Sequence, residues 1–295
     1  MKQETLDSYK KAVNKVVDYI NLHLHDSLDL SALAKIANIS EYHFHRIFKS
    51  IMGENAGEYI IRLRLEDIAM RLRINPQSLE EIAARTSYQT KHAVSKAFKK
   101  HFGIPPSTFR KQEVDTARLI DEEDRQATEL LPEVIRIDDK RVVYIRIVDW
   151  YGSPESYRNA WKQLGEFGTN SSLLNKDTEW IGLSFDDPTI TIPEKCRFYA
   201  CFTTSEEVKP TGPFGIQTIK GGLYAIFTLK GAYSGLTKLY YNIYMRWLPN
   251  STYSLRSGKS FELYVNHPDR VSEDDILTKI YIPVERKRRW ILRSS

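Results

Sequence analysis

Apolar residues along the first 112 positions recur three and four apart, which is the spacing of one face of an α-helix. Further helices are predicted over 31–37, 41–52 and 55–73, and Asn75-Pro76 interrupts the last because proline cannot continue a helix. The first apolar stripe is formed by Val13, Val16, Val17, Ile20 and Leu24. The front of the chain is therefore predicted to be helical throughout.

This helical pattern occurs twice, about 50 residues apart. The segment 79–84 repeats the pattern of 30–35, and Thr90 stands where Ser40 stood, both being residue types that cap helix N-termini well. The stretch 44–53 likewise returns as 94–103. The sequence therefore predicts two helix–turn–helix units joined by one long helix.

The second helix of each unit carries a basic face opposite its apolar stripe. These faces comprise Tyr42, His45, Arg46 and Lys49 in the first unit, and His92, Ser95, Lys96 and Lys99 in the second. Such a helix fits the major groove of DNA, where Arg and Lys contact guanine edges and phosphates. Two of them on a rigid linker could enter successive grooves, about 34 Å apart. A solvated face is the alternative for one such helix alone; two matched faces favour DNA.

After residue 132 the pattern changes to short strand-like runs. Helices are predicted over 153–167 and 234–247, and strands over 142–148, 180–185, 197–203, 223–229, 261–265 and 276–284. The order strand–helix–strand–strand thus occurs twice, and Asp187-Pro188 matches His267-Pro268. Two such βαββ halves predict an α+β domain with a cleft between them, where a ligand is expected.

One carboxylate in this second region stands among apolar neighbours. Counting back from the two matched prolines aligns Gly182 with Glu262 and Ser184 with Tyr264. A buried unpaired charge is costly, so a glutamate among apolar residues is expected to have a partner or a functional role. It either faces the cleft, where it attracts a cation or accepts hydrogen bonds, or it is a solvent-facing or Arg-paired glutamate. The alternation of residues leaves both interpretations open.

Charge and composition divide the chain in the same place. Residues 1–112 carry 18 Lys and Arg against 12 Asp and Glu, whereas 113–295 carry 25 against 26 and hold all five Trp. We therefore expect a DNA-binding domain over 1–112, an acidic linker over 113–132, an α+β domain with a ligand cleft over 133–288 and a tail over 289–295. Neither a metal nor a cofactor is predicted, because the two cysteines offer no metal-ligand spacing. No apolar run reaches the ~18–20 residues of a membrane span, so a cytoplasmic protein is expected.

Two segments of the front half resemble the AraC/XylS family of transcription regulators. They are YHFHRIFKSIMG at 42–53 and SKAFKKHFGIPPSTFRK at 95–111. The resemblance implies that Tyr42, His45 and Arg46, and in the second unit Lys91, His92 and Lys96, face DNA. Asn38 and Ser87 replace the glycine usual in the two turns. Lys96 replaces a common arginine, so we expect the second unit to contribute affinity more than base selectivity.

Three segments of the back half resemble the GyrI-like effector-binding domain. They are WIGLSFDDPTITIPEKCRFYACF at 180–202, FELYV at 261–265 and KIYIPVE at 279–285. The resemblance implies a cleft for small, often lipophilic and cationic molecules, with Glu262 as the anchor. Gly182 would leave room for the ligand, and the expected walls are Tyr264 and Tyr281, followed by Trp180, Phe185 and Tyr144.

Together these observations predict a multidomain regulator, with an all-α N-terminal domain and an α+β C-terminal domain of duplicated βαββ units. We expect it to bind double-stranded DNA, to activate transcription with RNA polymerase as a partner, and to respond to a small-molecule effector. A monomer suffices for an asymmetric DNA site because one chain holds two recognition helices. The alternative is a hydrolase of reactive small molecules with Glu262 as general base, or a sequestering protein.

Overall fold

The computed structural model describes residues 3–74, 77–112 and 130–287. Asn75-Pro76, most of the predicted linker and the tail over 289–295 lie outside these residues. The predicted division into a helical region followed by a sheet-rich region is confirmed. None of the described helices combines the length and the apolar character that crossing a membrane requires.

The helical domain contains seven described helices. Their bounds are α1 Gln3–Leu22, α2 Leu30–Ala37, α3 Glu41–Met52, α4 Ala56–Ile74, α5 Leu79–Ala84, α6 Lys91–Phe102 and α7 over 106–112. The two predicted N-caps are confirmed: the Ser40 hydroxyl accepts from the backbone N–H of His43, and the Thr90 hydroxyl from that of Ala93. Both recognition helices, α3 and α6, therefore begin at capped positions.

The two interhelical turns differ from one another. In the first unit (α2 and α3) Asn38 adopts the left-handed conformation with φ of 55°, as expected for a residue that replaces glycine. In the second unit (α5 and α6) the left-handed residue is Gln89, with φ of 59°, and not Ser87. Helix α5 ends at Ala84, six residues before Thr90, the N-cap of α6, whereas α2 ends only three residues before Ser40. The second turn is therefore longer, and the chain reverses at Gln89 rather than at the expected Ser87.

Each unit has its own core, and α4 belongs to both. Ile60 and Leu63 pack with the first unit and α1, whereas Ile68 and Leu72 pack with the second. Because one continuous helix is buried in both cores, the two recognition helices are held at a fixed separation.

The C-terminal domain is built on one antiparallel sheet. Its strands are β1 Glu133–Ile137, β2 Lys140–Val148, β3 Trp180–Ser184, β4 Arg197–Thr203, β5 Phe214–Ile219, β6 Gly222–Lys230, β7 Tyr253–Leu255, β8 Phe261–Tyr264 and β9 Leu277–Arg286. Helix α8 spans Pro154–Asn170, and α9 (Leu236–Tyr241) continues through a π-helical turn, Asn242–Trp247, into α10 (Leu248–Asn250). The sequence pattern missed β1, β5 and β7; β1 and β5 are edge strands, which are partly exposed and carry weak apolar alternation.

The predicted duplication is confirmed by the order of the strands, β1-β6-β9-β8-β3-β4-β2-β5, with β7 paired to β9. One half is β2-α8-β3-β4 and the other β6-α9-β8-β9, and they meet where β3 pairs with β8. Gly182 lies directly opposite Glu262 in that pairing. Strand β1, which precedes the first half, pairs with β6 of the second half. Strand β5, which precedes the second half, pairs with β2 of the first, so each half is extended by an edge strand from the other.

The two faces of the sheet have different neighbours. Helices α8 and α9 cover one face, over Phe198 and Ala200 on one side and Phe227 and Ile280 on the other. The opposite face meets the helical domain: the Tyr144 hydroxyl donates to the Asp18 carboxylate of α1 at 2.5 Å. The sheet therefore separates the helix-covered surface from the contact with the DNA-binding domain.

Candidate DNA interface and effector site

The basic face of α3 is solvent-exposed because the opposite stripe anchors the helix. Phe44, Phe48 and Met52 are buried, whereas Tyr42, His45, Arg46 and Lys49 are exposed. The Arg46 guanidinium lies 5.8 Å from the centre of the Tyr42 ring and donates from Nη1 to its hydroxyl at 3.5 Å. Tyr42 thus sits beside the arginine that is expected to contact bases.

The basic face of α6 is placed in the same way. Val94 and Phe98 are buried, and Lys91, His92, Lys96 and Lys99 are exposed. Lys91 differs from the others because its ammonium group donates to the Glu80 carboxylate of α5 at 2.6 Å. A contact between Lys91 and a phosphate would have to replace this surface ion pair. Of the nine residues named on the two faces, eight are thus exposed on anchored helices, and Ser95 is half-buried.

The scaffold between the two units contains a buried ion cluster. Arg62 of α4 donates to Glu54 at 2.6 Å and to Glu66 at 3.0 Å, and all three residues are at most 8% exposed. Burial alone would raise the pKa of Glu54, but hydrogen bonds from Arg62 reverse the direction, and the pKa is lowered. Burial raises the pKa of Glu66, which accepts from the same guanidinium. Arg62 therefore compensates two buried carboxylates.

Glu262 lies on the helix-covered face of the sheet and is 4% exposed. Three hydroxyls donate to its carboxylate: Tyr264 at 2.8 Å, Tyr240 of α9 at 3.1 Å and Ser184 of β3 at 3.3 Å. No cation contacts it among the described residues. Burial raises its pKa, and the three hydrogen bonds act in the opposite direction without cancelling that effect.

Aromatic side chains from both halves surround this carboxylate. Trp161 of α8 meets Tyr264 edge-on at 5.6 Å and Trp180 at 6.0 Å, and Tyr233 meets Tyr264 at 5.7 Å. We call the group the Glu262 site, and its members are Glu262, Ser184, Tyr240, Tyr264, Trp161, Trp180 and Tyr233. Trp161, Tyr233 and Tyr240 were missed, although the aromatic residues in and beside the two predicted helices were a usable signal.

Gly182 lies at the floor of the Glu262 site. A Cβ atom there would lie 2.7 Å from the Phe198 ring and against the Tyr264 hydroxyl. The space that the missing side chain leaves is thus occupied by the protein's own aromatic groups. The site is closed by side chains in this structure rather than open for a ligand.

Three of the predicted wall residues lie on the opposite face of the sheet. Glu262 pairs with Ile280, so the adjacent Tyr281 points away from it and stacks on Phe261 at 4.3 Å. Phe185 and Tyr144 lie against Tyr199 on that same face, at 4.2 and 4.4 Å. The structure brings Glu262, Tyr264, Trp180 and Gly182 together and separates Tyr281, Phe185 and Tyr144 from them.

The raised pKa of Glu262 predicts a dependence of stability on pH. Its proton is lost from the unfolded chain near the ordinary glutamate pKa of 4.5 but from the folded chain at a higher pH. Above about pH 4.5 the unfolded state therefore binds fewer protons at this position, and the free energy of unfolding falls as pH rises. Urea unfolding of the wild type and Glu262→Gln should show the wild type losing stability relative to the variant over this range. A difference that stays constant with pH would contradict this, and the exposed Glu166→Gln is the matched control.

Two protein families match different parts of the chain. Residues 33–112 match a family described as a helix-turn-helix domain, and residues 132–285 match the GyrI-like small molecule binding domain. Among the described residues, His, Cys, Asp and Glu side chains form no group of three or more that could hold a metal ion.

Individual relatives cover the chain to different extents. The transcriptional regulator Rob of Salmonella typhimurium is 24% identical over 293 residues, covering 93% of this chain and 98% of Rob. The HTH-type transcriptional regulator YbfP of Bacillus subtilis is 31% identical over 102 residues, and the chain spans only 35% of YbfP. A cryo-EM structure of the EcmrR–DNA complex has a TM-score of 0.48 and 16% identity, covering 88% of this chain and 99% of that one.

The GyrI-like match spans more than half of the 295 residues, and the helix-turn-helix match precedes it. The chain therefore belongs to the GyrI-like small molecule binding family, joined to an AraC-type helix–turn–helix domain, and is a DNA-binding transcription regulator of the AraC and Rob type.

Proposed function

We propose that this regulator activates transcription as a monomer on an asymmetric DNA site, and that a small lipophilic cation in the Glu262 site alters its DNA binding. The observation that carries the DNA part is the pair of exposed basic faces on α3 and α6, held apart by one helix buried in both cores. RNA polymerase is the expected protein partner of such an activator, and the cytoplasm its location.

Within the DNA interface, Arg46 is proposed as the main reader of bases. Its planar guanidinium can donate two parallel hydrogen bonds to guanine, and Tyr42 restricts its position. Lys49 and Lys99 are proposed to contact phosphates. The second unit adds mainly affinity, because Lys96 is a point charge and Lys91 is already paired with Glu80.

Arg46→Ala should weaken binding to the preferred duplex by about 1–3 kcal/mol and relax base selectivity at the positions that it contacts. Lys99→Ala is the control. It should weaken binding to all duplexes alike and reduce the slope of log affinity against log salt concentration by about one. The measurement is fluorescence anisotropy with a duplex selected from random sequence by the full-length chain, and with single-base variants of it. Equal losses for Arg46→Ala on every duplex would exclude base reading by Arg46.

The effector part rests on the environment of Glu262. The carboxylate is buried, holds a raised pKa and is satisfied only by hydroxyl donors. A lipophilic cation that entered between the aromatic rings would displace one of these hydroxyls and gain a Coulomb attraction to the carboxylate in its place. Each ring facing the cation would add about 0.5–2 kcal/mol of cation–π attraction. Entry requires Tyr264 to move, because its hydroxyl fills the space above Gly182.

Tetraphenylphosphonium is a suitable probe because Trp161 and Trp180 report directly on the Glu262 site. Titration of the full-length chain, followed by Trp fluorescence, should show saturable binding, and Glu262→Gln should weaken it roughly ten- to hundredfold. Neutral triphenylphosphine oxide should bind more weakly and equally to both proteins. Tyr281→Phe, on the opposite face, is a matched control and should leave the affinity unchanged. Equal affinity of the wild type and Glu262→Gln would exclude Glu262 as the anchor.

A further inference from the structure

Two buried arginines connect the sheet to the first helix of the DNA-binding domain. Arg146 of β2 donates from Nη1 to the Asn14 side chain at 2.7 Å, and Arg197 of β4 donates from Nη1 to the Asn21 side chain at 2.8 Å. Asn14 and Asn21 are seven residues apart and thus lie on one face of α1. Arg197 also donates to the Tyr59 hydroxyl of α4 at 3.1 Å.

Arg197 is held in place by Asp186, which follows β3. The guanidinium donates from Nε to Oδ2 at 2.8 Å and from Nη2 to Oδ1 at 2.5 Å, a bidentate geometry. The backbone N–H of Arg197 donates to the same carboxylate at 2.7 Å. Both side chains are at most 7% exposed. A displacement of Asp186 must therefore move Arg197 or break a buried ion pair.

The same two strands form part of the Glu262 site on the other face. Ser184, two residues before Asp186, donates to Glu262, and Phe198, next to Arg197, packs above Gly182. The alternation of a strand places Arg197 and Phe198 on opposite faces. The residue that donates to Glu262 is thus separated from Asp186 by a single residue of chain.

We propose that the Asp186–Arg197 pair is the positioning element that links the Glu262 site to the placement of α1 and α4, and hence to DNA affinity. This inference rests on the proposed effector function and adds the route of its regulation. Arg146 makes the same kind of contact with α1, but from β2, which pairs with β4 and β5 and not with β3 or β8. Asn14 is therefore the comparison for Asn21: its arginine lies one strand further from the Glu262 site, and the two contacts meet at the Tyr199 hydroxyl, which accepts from Arg146 at 2.9 Å and from Asn21 at 3.5 Å.

The decisive experiment needs no effector. DNA affinity of the full-length chain is measured for Glu262→Gln in three backgrounds: wild type, Asn14→Ala and Asn21→Ala. We expect Glu262→Gln to change the affinity by about fivefold or more in the wild type, by nearly the same factor in Asn14→Ala, and by a clearly smaller factor in Asn21→Ala, where only the Arg197–Tyr59 contact remains. An equal effect in all three backgrounds, or none in the wild type, would overturn the route through Arg197.

A second variant separates coupling from loss of folding. Tyr59→Phe removes only the hydroxyl that accepts from Arg197, and it should reduce the effect of Glu262→Gln while the urea midpoint stays close to that of the wild type. The tetraphenylphosphonium affinity, measured with and without saturating duplex, should change by the same factor as DNA affinity does, because linkage is reciprocal. If tetraphenylphosphonium fails to bind the wild type, the effector proposal fails, whereas the Glu262→Gln comparison still decides the route.

Discussion

Replacing Arg62 with methionine is expected to lower the free energy of unfolding by about 3–5 kcal/mol, because it leaves the buried carboxylate of Glu66 without its paired cation and Glu54 with only the partly exposed Lys195. Arg62 is 4% exposed and donates to both Glu54 and Glu66. Methionine fills much of the same volume, so the loss reports on charge rather than on a cavity. Urea unfolding followed by Trp fluorescence and by far-UV circular dichroism measures it.

Lys195→Met is the matched control for Arg62→Met. Lys195 also pairs with Glu54, at 2.9 Å, but it is 36% exposed, so its loss should cost less than about 1 kcal/mol. The lowered pKa of Glu54 means that its stabilising contribution is present above pH 4.5 and is lost as pH falls. The deficit of Arg62→Met should therefore shrink in acid. A deficit equal to that of Lys195→Met at neutral pH would contradict the compensating role of Arg62.

Gly182→Val is expected to destabilise the C-terminal domain by about 3 kcal/mol. The first added carbon would meet Phe198 at 2.7 Å and the Tyr264 hydroxyl, and overpacking of this kind forces side chains out of their preferred positions. Displacement of Tyr264 also removes one hydrogen bond from the buried carboxylate of Glu262. Unfolding in urea, read by Trp fluorescence, gives the loss.

Gly165→Ala is the control for a glycine with space around it. A Cβ at Gly165 of α8 would lie 4.0 Å from Trp180, an ordinary contact, and alanine favours a helix. We expect this variant to be as stable as the wild type or more stable, by up to about 1 kcal/mol. If Gly182→Val were equally well tolerated, the packing described around Tyr264 would be wrong.

The recognition helices could be predicted because their pattern is local. Each has an apolar stripe, a polar N-cap and a basic opposite face within twelve residues. The equivalence of Gly182 and Glu262 in the two halves could also be predicted, because both keep the same spacing to an Asp-Pro or His-Pro pair. That the two residues lie opposite each other, where β3 pairs with β8, is shown only by the structure. A pattern that repeats along the chain can be recognised without knowing how distant elements pack.

The walls of the Glu262 site could not be assigned in the same way. Both faces of the sheet are buried, one under α8 and α9 and the other partly under the helical domain. Aromatic residues therefore occur on both faces of the sheet. The sequence pattern around Tyr281 and Phe185 does not distinguish them from Tyr264. The pairing of Glu262 with Ile280 places Tyr281 on the opposite face, and the pairing of Gly182 with Glu262, followed along the strand, does the same for Phe185.

The contact between the two domains was missed for another reason. Arg146 and Arg197 lie within or beside apolar strands, as Glu262 does, and a buried charge calls for a partner. Their partners, Asn14 and Asn21, lie more than 130 residues earlier in the chain, on the polar side of α1. The signal for burial was present in the strands, but nothing in the sequence identified the helix that satisfies it.

The central claim is that occupation of the Glu262 site changes DNA binding. Its most direct test is the affinity of the full-length chain for its selected duplex, by fluorescence anisotropy, with and without saturating tetraphenylphosphonium. We predict a change of about fivefold or more in the wild type, none in Glu262→Gln, and none with neutral triphenylphosphine oxide. An unchanged affinity in the wild type at a concentration that saturates the Trp signal would contradict the account.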